Sequence, residues 1–412
     1  MALADKEKVR ERARALGFEA CGFTSAAPLD CGPVLEEWIR RGRHGSMAYL
    51  AKNPERRISP AAQLPDARTV IVALRAYQAP RPPRGDWRRS LFGRIASYAL
   101  GPDYHDDLGE RMTALGEGIR ELHGAKYAVH VDAGPLVEKD LARRAGLGWY
   151  GRNTNILTTG GSYFLIACLI TDAEYEPDPP MTASHCGTCT ACIPACPTGA
   201  LDHGPTIDAA RCISYLTIEH HGPFTNELQP LMNKMENWVF GCDVCQEVCP
   251  WHDETDAENG GDMVLGPGDD PLYPDLPGLL KLDRDAFHDR YRRTAVWRTK
   301  RRGLARNAVI ALGNSGNPLA AEPLREALRD HDEPLVRYHA AGALAGLPGA
   351  TAAADLARAL AAESVAPVRR EIERVLENPL PHGSDETGKP GESGGSGGSG
   401  EAASTRVRED LP

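Results

Sequence analysis

The stretch Cys186-Gly-Thr-Cys189-Thr-Ala-Cys192-Ile-Pro-Ala-Cys196-Pro197 carries the C-x2-C-x2-C-x3-C-P spacing that holds 4Fe-4S cubanes in pairs. In that arrangement three thiolates grip one cubane and the fourth reaches the other, so the run predicts a second group of ligands downstream. Cys242-Asp-Val-Cys245-Gln-Glu-Val-Cys249-Pro250 supplies two close thiolates and a Cys-Pro, and Cys212 fills the position this run lacks. The crossover rule assigns Cys186, Cys189, Cys192 and Cys249 to one cluster and Cys196, Cys212, Cys242 and Cys245 to the other. The remaining cysteines, Cys21, Cys31 and Cys168, read as small hydrophobes. Zinc is the alternative, but zinc knuckles use separated C-x2-C pairs and give the triple run no role. Disulfides between such close cysteines would be strained and need an oxidising compartment.

On either side the pattern changes. Residues 1–175 mix helical stretches with short apolar runs, Thr69-Val-Ile-Val-Ala-Leu74, Tyr127-Ala-Val-His-Val131 and Tyr163 to Ile170, which read as buried strands of an α/β domain. Residues 176–265 read as a bacterial ferredoxin-like two-cluster domain that needs metal to fold. After an acidic, Gly-rich connection, Asp253 to Asp270, residues 266–380 turn helical. Arg306-Asn-Ala, Arg337-Tyr-His and Arg370-Glu-Ile recur roughly 31 to 33 residues apart, a period that predicts HEAT-like helix pairs. Residues 381–412, rich in Gly and Ser, read as a disordered tail. The 412-residue chain is thus expected to be α+β and multidomain.

Met1 to Gly17 alternates Lys, Arg and Glu with Ala and Leu, a helix rather than a signal peptide. Tyr163 to Ile170 falls far short of the roughly 20 residues a membrane-spanning helix needs. A cytoplasmic chain without membrane contact is expected. The net charge of −10 repels phosphate over most of the surface, so a nucleic-acid partner requires a local basic patch. Arg290, Arg292, Arg293, Arg298, Lys300, Arg301, Arg302 and Arg306 supply one with no acid among them, and Tyr291 and Trp297 offer stacking surfaces. The bland reading of such a run is a solvated helix face.

Further segments, taken with the cysteines, resemble one family. They are Val131-Asp132-Ala-Gly-Pro135 leading into Glu138-Lys139, Ala145-Gly-Leu-Gly-Trp149-Tyr-Gly-Arg-Asn153-Thr-Asn155, Asn53-Pro-Glu-Arg-Arg57, Ser97-Tyr-Ala before Asp103-Tyr-His105, Thr217-Ile-Glu-His220 and Arg301-Arg-Gly-Leu-Ala-Arg-Asn307. Their order is that of epoxyqueuosine reductases, over roughly residues 8–375. The resemblance implies reduction of the epoxide of epoxyqueuosine, at the tRNA wobble position, to the alkene of queuosine. It places cobalamin in the amino-terminal α/β domain beside two 4Fe-4S clusters, with contacts on Arg57, Tyr98, Asp132, Lys139, Asn153, Asn155 and His220. The proton donor falls on Asp132, which needs a raised pKa to donate. Contacts to tRNA are expected from Arg293, Arg298, Lys300, Arg301, Arg302 and Arg306, electrons from an external flavodoxin or ferredoxin, and a monomer.

Without the resemblance, Asp132-Ala-Gly-Pro135 is turn chemistry in which Pro135 suits the start of a helix, and Gly146 to Gly151 is a helix C-cap and loop. Asp103-Tyr-His105-Asp-Asp-Leu-Gly109 comes close to the D-x-H-x-x-G motif of His-ligated cobalamin, but its Gly falls one residue late. The family binds cobalamin without a protein imidazole, so His105 is not assigned to cobalt. Three rival readings stand beside this one. A corrinoid reductive dehalogenase also pairs cobalamin with two clusters but usually carries a twin-arginine signal. An electron carrier would hold clusters and no corrinoid, and a tRNA-binding module would bind without turnover.

Overall fold

The computed structural model describes residues 5–77, 86–202, 204–225, 228–252, 272–348 and 352–378. The acidic connection and the Gly/Ser-rich tail therefore lie outside the described residues. At the centre of the amino-terminal part is a four-stranded sheet of β1 (Ala20–Ser25), β2 (Thr69–Ala76), β3 (Tyr127–His130) and β4 (Phe164–Thr171), in the spatial order β1-β2-β4-β3. Every neighbouring pair is antiparallel. The mixed helix-and-strand reading holds, but this sheet is α+β rather than the parallel sheet an α/β domain implies. A continuous apolar run reports that a strand is buried on both faces and says nothing of which way its neighbours point.

Both faces are indeed covered. Ile71 and Ala73 of β2 and Ala167 and Leu169 of β4 pack with Val9 and Ala13 of the helix Lys6–Ala15 and with Leu108, Met112, Leu115 and Ile119 of the helix Tyr104–His123. Val70, Val72, Cys168 and Ile170 point the other way, onto Leu141 and Ala142 of the helix Glu138–Arg144. Full burial of each larger aliphatic is worth about 1.5–3 kcal/mol. Cys168, wholly buried, behaves as the small hydrophobe expected.

This sheet sets up the site. The chain leaves β3, turns through Asp132 at a left-handed φ of 52°, and enters the helix beginning at Glu138. Pro135 therefore does not open that helix. The long helix Tyr104–His123 starts beside the same turn, capped by Asp103, whose carboxylate accepts the His105 backbone N–H.

The carboxy-terminal helices Lys300–Asn314, Ala321–Asp330, Pro334–Ala345, Ala352–Ala362 and Ala366–Glu377 stack in pairs. The first is buried without interruption from Gly303 to Leu312. A single hydrophobic cluster runs from Val9 through Val239 and Leu304 to Val375, so the sheet and the helical end share one core. Among the described residues no helix is long and apolar enough to cross a membrane.

Arg306 is not part of a surface patch, contrary to the sequence expectation: it is 0% exposed. Its guanidinium donates to the carbonyls of Leu216 (2.8 Å), Gly222 (3.1 Å) and His220 and to Asn307 Oδ1. Asn307 Nδ2 donates in turn to Thr217 O (2.9 Å) and Val239 O (2.8 Å). Burial lowers the Arg306 pKa to about 9. Arg306→Met keeps the volume and strips the donors from buried carbonyls, so a loss of roughly 3 kcal/mol is expected, read as a drop in the urea unfolding midpoint.

Candidate active site

Cys186, Cys189, Cys192 and Cys249 line one recess together with Arg152, Asn153, Leu157 and Trp251. Cys189 is exposed and Cys186 and Cys249 half-buried, so this group stands near the surface. Cys196, Cys212, Cys242 and Cys245 form a second, deeper group. Burial pushes the Cys245 thiol up, and Cys212, Asp243 and Cys196 push it further. Burial does the same for Cys242, followed by Cys212 and Cys245. Thiols so crowded resist ionising together unless a bound metal centre compensates their charge. Gly241 positions Cys242: at φ 67° a Cβ there would stand 2.5 Å from Ala96 Cβ and 3.5 Å from the Tyr98 ring. Among the described residues no three His, Cys, Asp or Glu side chains converge tightly enough for a single ion, and a cubane spreads its thiolates more widely.

The deeper group adjoins a polar recess. Asn153 Nδ2 donates to Cys245 O (3.3 Å), and Asn153 Oδ1 accepts from Asn155 N (3.1 Å). Lys139 Nζ donates to Thr154 O (3.0 Å) and Asn155 Oδ1 (3.2 Å). Burial pulls the Lys139 pKa down, against the pull of Cys245 and Asp132. Asp132 stands on the same wall. Tyr104 donates to Asp132 Oδ2 (2.6 Å), His105 Nε2 lies 3.6 Å from that oxygen, and Asp132 N donates to Glu138 Oε1 (2.8 Å).

Asp132 is surrounded by Tyr104, His105 and Glu138 yet its side chain is 64% exposed. Burial pushes its pKa up, but His105, Tyr104 and Lys139 outweigh that, and the net shift is downward. The raised pKa expected of a proton donor is therefore found next door. Glu138 is pushed up to about 8, by burial first and then by Asp132. His105 is raised to about 9, by Asp103 first and then by Asp132.

Of the other residues expected at a cofactor, Tyr98 stands edge-on to Tyr104 with centroids 5.9 Å apart. Arg57 donates to Tyr49 O (2.9 Å) while its buried Nε has no partner. His220 is drawn elsewhere: Pro223 O lies 3.1 Å from its Nε2, and its ring packs against Tyr215 and Phe224. Tyr49 escaped sequence reasoning because no motif marks it. It is 45% exposed, and partial burial, Glu219 and Asp132 all push its phenol up.

The basic run is divided by the fold. Arg292, Arg293, Arg298, Lys300 and Arg302 are exposed, and Lys300 Nζ sits 4.9 Å from the Trp297 ring centroid. The Arg301 side chain is only 10% exposed and holds Asp332 (2.6 Å) and Glu333 (3.1 Å), while Tyr291 is buried. Neither offers the free surface expected: Asp332 and Glu333, distant in sequence, close over Arg301, and Tyr291 packs into the core against Phe287. Arg298 donates to Glu219 and also feels Tyr49 and Asp132, which puts the patch on the rim of the Asp132 recess.

Residues 185–252 match the family model of the 4Fe-4S double cluster binding domain, and residues 298–377 that of HEAT repeats. With the polar recess beside those cysteines, this defines an iron–sulfur oxidoreductase. Residues 57–133 match the model "Epoxyqueuosine reductase QueG, DUF1730". The chain belongs to the epoxyqueuosine reductase family. It is 38% identical over 305 residues to the epoxyqueuosine reductase of Cyclobacterium marinum, covering 73% of this chain and 94% of that one. With the Escherichia coli K12 enzyme it shares 33% over 381 residues, 91% and 96% of the two chains. A crystal structure of an epoxyqueuosine reductase with an epoxyqueuosine-modified tRNA-Tyr stem loop is similar at a TM-score of 0.78 and 31% identity, covering 90% of this chain and 98% of that one. The Bacillus subtilis enzyme, captured with its catalytic aspartate loop swung out of the active site, matches at 0.79 and 30%, with the same coverage.

Glu138 yields a stability test. Its pKa rises from 4.5 to about 8 on folding, so the stability it contributes is present below about pH 4.5 and lost as pH rises through about 8. Glu138→Gln still accepts from Asp132 N but cannot ionise. Its urea midpoints should equal wild type at low pH and exceed it above about pH 8.

Proposed function

We propose that this chain reduces epoxyqueuosine in tRNA to queuosine with Asp132 as the residue that delivers the proton to the departing oxygen. The reaction consumes two electrons and two protons, and the oxygen leaves as water. One observation carries the reading: Asp132 lies within electrostatic reach of Lys139, which itself feels the deeper cysteine group, and the exposed cation Arg298 stands beside it.

The chain's residues then divide the work. Cys186, Cys189, Cys192 and Cys249 hold an outer 4Fe-4S cluster, open to an external flavodoxin or ferredoxin. Cys196, Cys212, Cys242 and Cys245 hold an inner one beside the recess. Lys139, Asn153, Asn155, Tyr98 and Arg57 fit a cobalamin: a half-buried cation with only neutral acceptors and an orphaned guanidinium Nε stand ready for polar groups of a ligand, beside two amides already fixed in place. When bound, cobalamin supplies low-valent cobalt, a strong one-electron reductant and nucleophile. His220 has no part in that set. Arg293, Lys300 and Arg302 contact tRNA phosphates, with Arg298 held toward the recess by Glu219. The parts are taken as residues 1–175, 176–265 and 266–380, in a cytoplasmic monomer.

Anaerobically prepared wild type should contain iron, sulfide and cobalt and convert epoxyqueuosine tRNA with a strong reductant. Asp132→Asn should keep the metals and tRNA binding and lose conversion by at least about 100-fold. Full turnover by that variant would refute the role of Asp132, and iron without corrinoid or product would favour an electron carrier.

Neutralising Arg293, Lys300 and Arg302 together should weaken tRNA binding and flatten its dependence on salt by about one unit of log–log slope per contact. Arg301→Ala should leave that slope as it is, since its charge is already spent on Asp332 and Glu333.

A further inference from the structure

Asp132 delivers a proton in this mechanism, yet its carboxyl rests ionised among Tyr104, His105 and Lys139. We propose that His105 is the proton source for Asp132: clamped between Asp103 and Asp132, its imidazolium passes the Nε2 proton to Asp132 Oδ2, and Asp132 delivers a proton to the substrate oxygen. The inference rests on the reading that epoxide reduction occurs in the Asp132 recess.

The clamp is built from both sides. His105 Nδ1 stands 2.7 Å from Asp103 Oδ1, the same oxygen that accepts the His105 backbone N–H at 3.0 Å as the helix cap. Asp103 therefore cannot turn away without uncapping the helix Tyr104–His123. The His105 ring lies stacked on Tyr104, centroids 4.1 Å apart at 27°. With Nδ1 committed to Asp103, Nε2 is left facing Asp132 Oδ2 at 3.6 Å. That is longer than a hydrogen bond, and rotation of the Asp132 side chain, 64% exposed on a bend, closes it. Tyr104 donates to the same oxygen at 2.6 Å and holds it on the His105 side.

The charged and titratable groups that act on the ring are Asp103 at the cap of its own helix, Asp132 on the turn, Glu138 on the following helix, and the phenol of Tyr104 stacked on it. Asp103 and then Asp132 dominate, and they keep His105 charged up to about pH 9. The step balances: one proton leaves His105, one arrives on oxygen, and Asp132 ends as the carboxylate it was. Neutral His105 keeps its Nδ1 proton on Asp103 and regains the other from water at its 32% exposed edge. Two such passages accompany the two electrons of the reduction.

The test uses the complete, cofactor-loaded enzyme with epoxyqueuosine tRNA across a pH series, comparing wild type with His105→Gln and Asp103→Asn. Wild-type kcat should fall as pH rises through about 9. His105→Gln should lose about 100-fold in kcat with KM unchanged and should lack that limb. Asp103→Asn should move the limb to lower pH, and imidazole should restore activity to His105→Gly. Imidazole nitrogen NMR of the whole protein gives a readout free of turnover: His105 should titrate near 9, and lower in Asp103→Asn. Wild-type kcat and limb in His105→Gln, or an ordinary His105 titration, would overturn the relay. A wild type that makes no queuosine would instead overturn the reading of the reaction, and the relay with it.

Discussion

The buried pair Arg306 and Asn307 is the constraint on which the arrangement depends. A guanidinium taken out of water without a carboxylate partner is costly, and here backbone carbonyls offset the cost. Those carbonyls belong to the segments that present the inner cysteines. Leu216 and Thr217 lie on the helix that Cys212 caps, and Val239 is on the strand that runs into Gly241 and Cys242. One turn of the helix Lys300–Asn314 thus ties together the two segments that carry Cys212 and Cys242. The same helix starts among the exposed cations Lys300 and Arg302, so their distance from the inner cysteines is fixed by a single rigid rod.

Electrostatics then sorts the recess. Three carboxylates, a lysine and an imidazole lie in mutual reach, and each environment assigns a different charge. Asp103 and Asp132 are held ionised by His105 among others, Glu138 is kept neutral by burial and by Asp132, and His105 is kept charged between its two aspartates. Because these states are mutually dependent, altering one carboxylate reassigns protons on the others.

What the sequence made legible follows from the range of the forces involved. The cysteine groups were readable because cluster ligation is set by local spacing, and the helix pairs because their repeat is periodic. Strand direction was not, since an apolar run such as Thr69 to Leu74 reports burial alone. Arg306 was misread because a cation in a basic run looks the same whether water or carbonyls receive it. Arg301 was misread because Asp332 and Glu333 reach it only through the stacking of helices. Asp103 and His105 stand in the sequence only as an imperfect D-x-H-x-x-G motif; their juxtaposition with Asp132 is tertiary. Tyr49 and Glu219 carried no signal, being single residues joined to the recess by folding.

The left-handed backbone at Asp132 narrows the chemical alphabet at that position. At φ 52° most side chains incur about 1–2 kcal/mol of strain, whereas Gly, Asn and Asp are readily accommodated. Of those three only one is an acid. Glutamate, the obvious chemical substitute, is disfavoured by the chain itself before its reach toward a substrate comes into question. Under the proposed role of Asp132, the variants the fold accepts easily lack the acid, so the locus behaves as a binary element with few graded intermediates through which activity could be tuned.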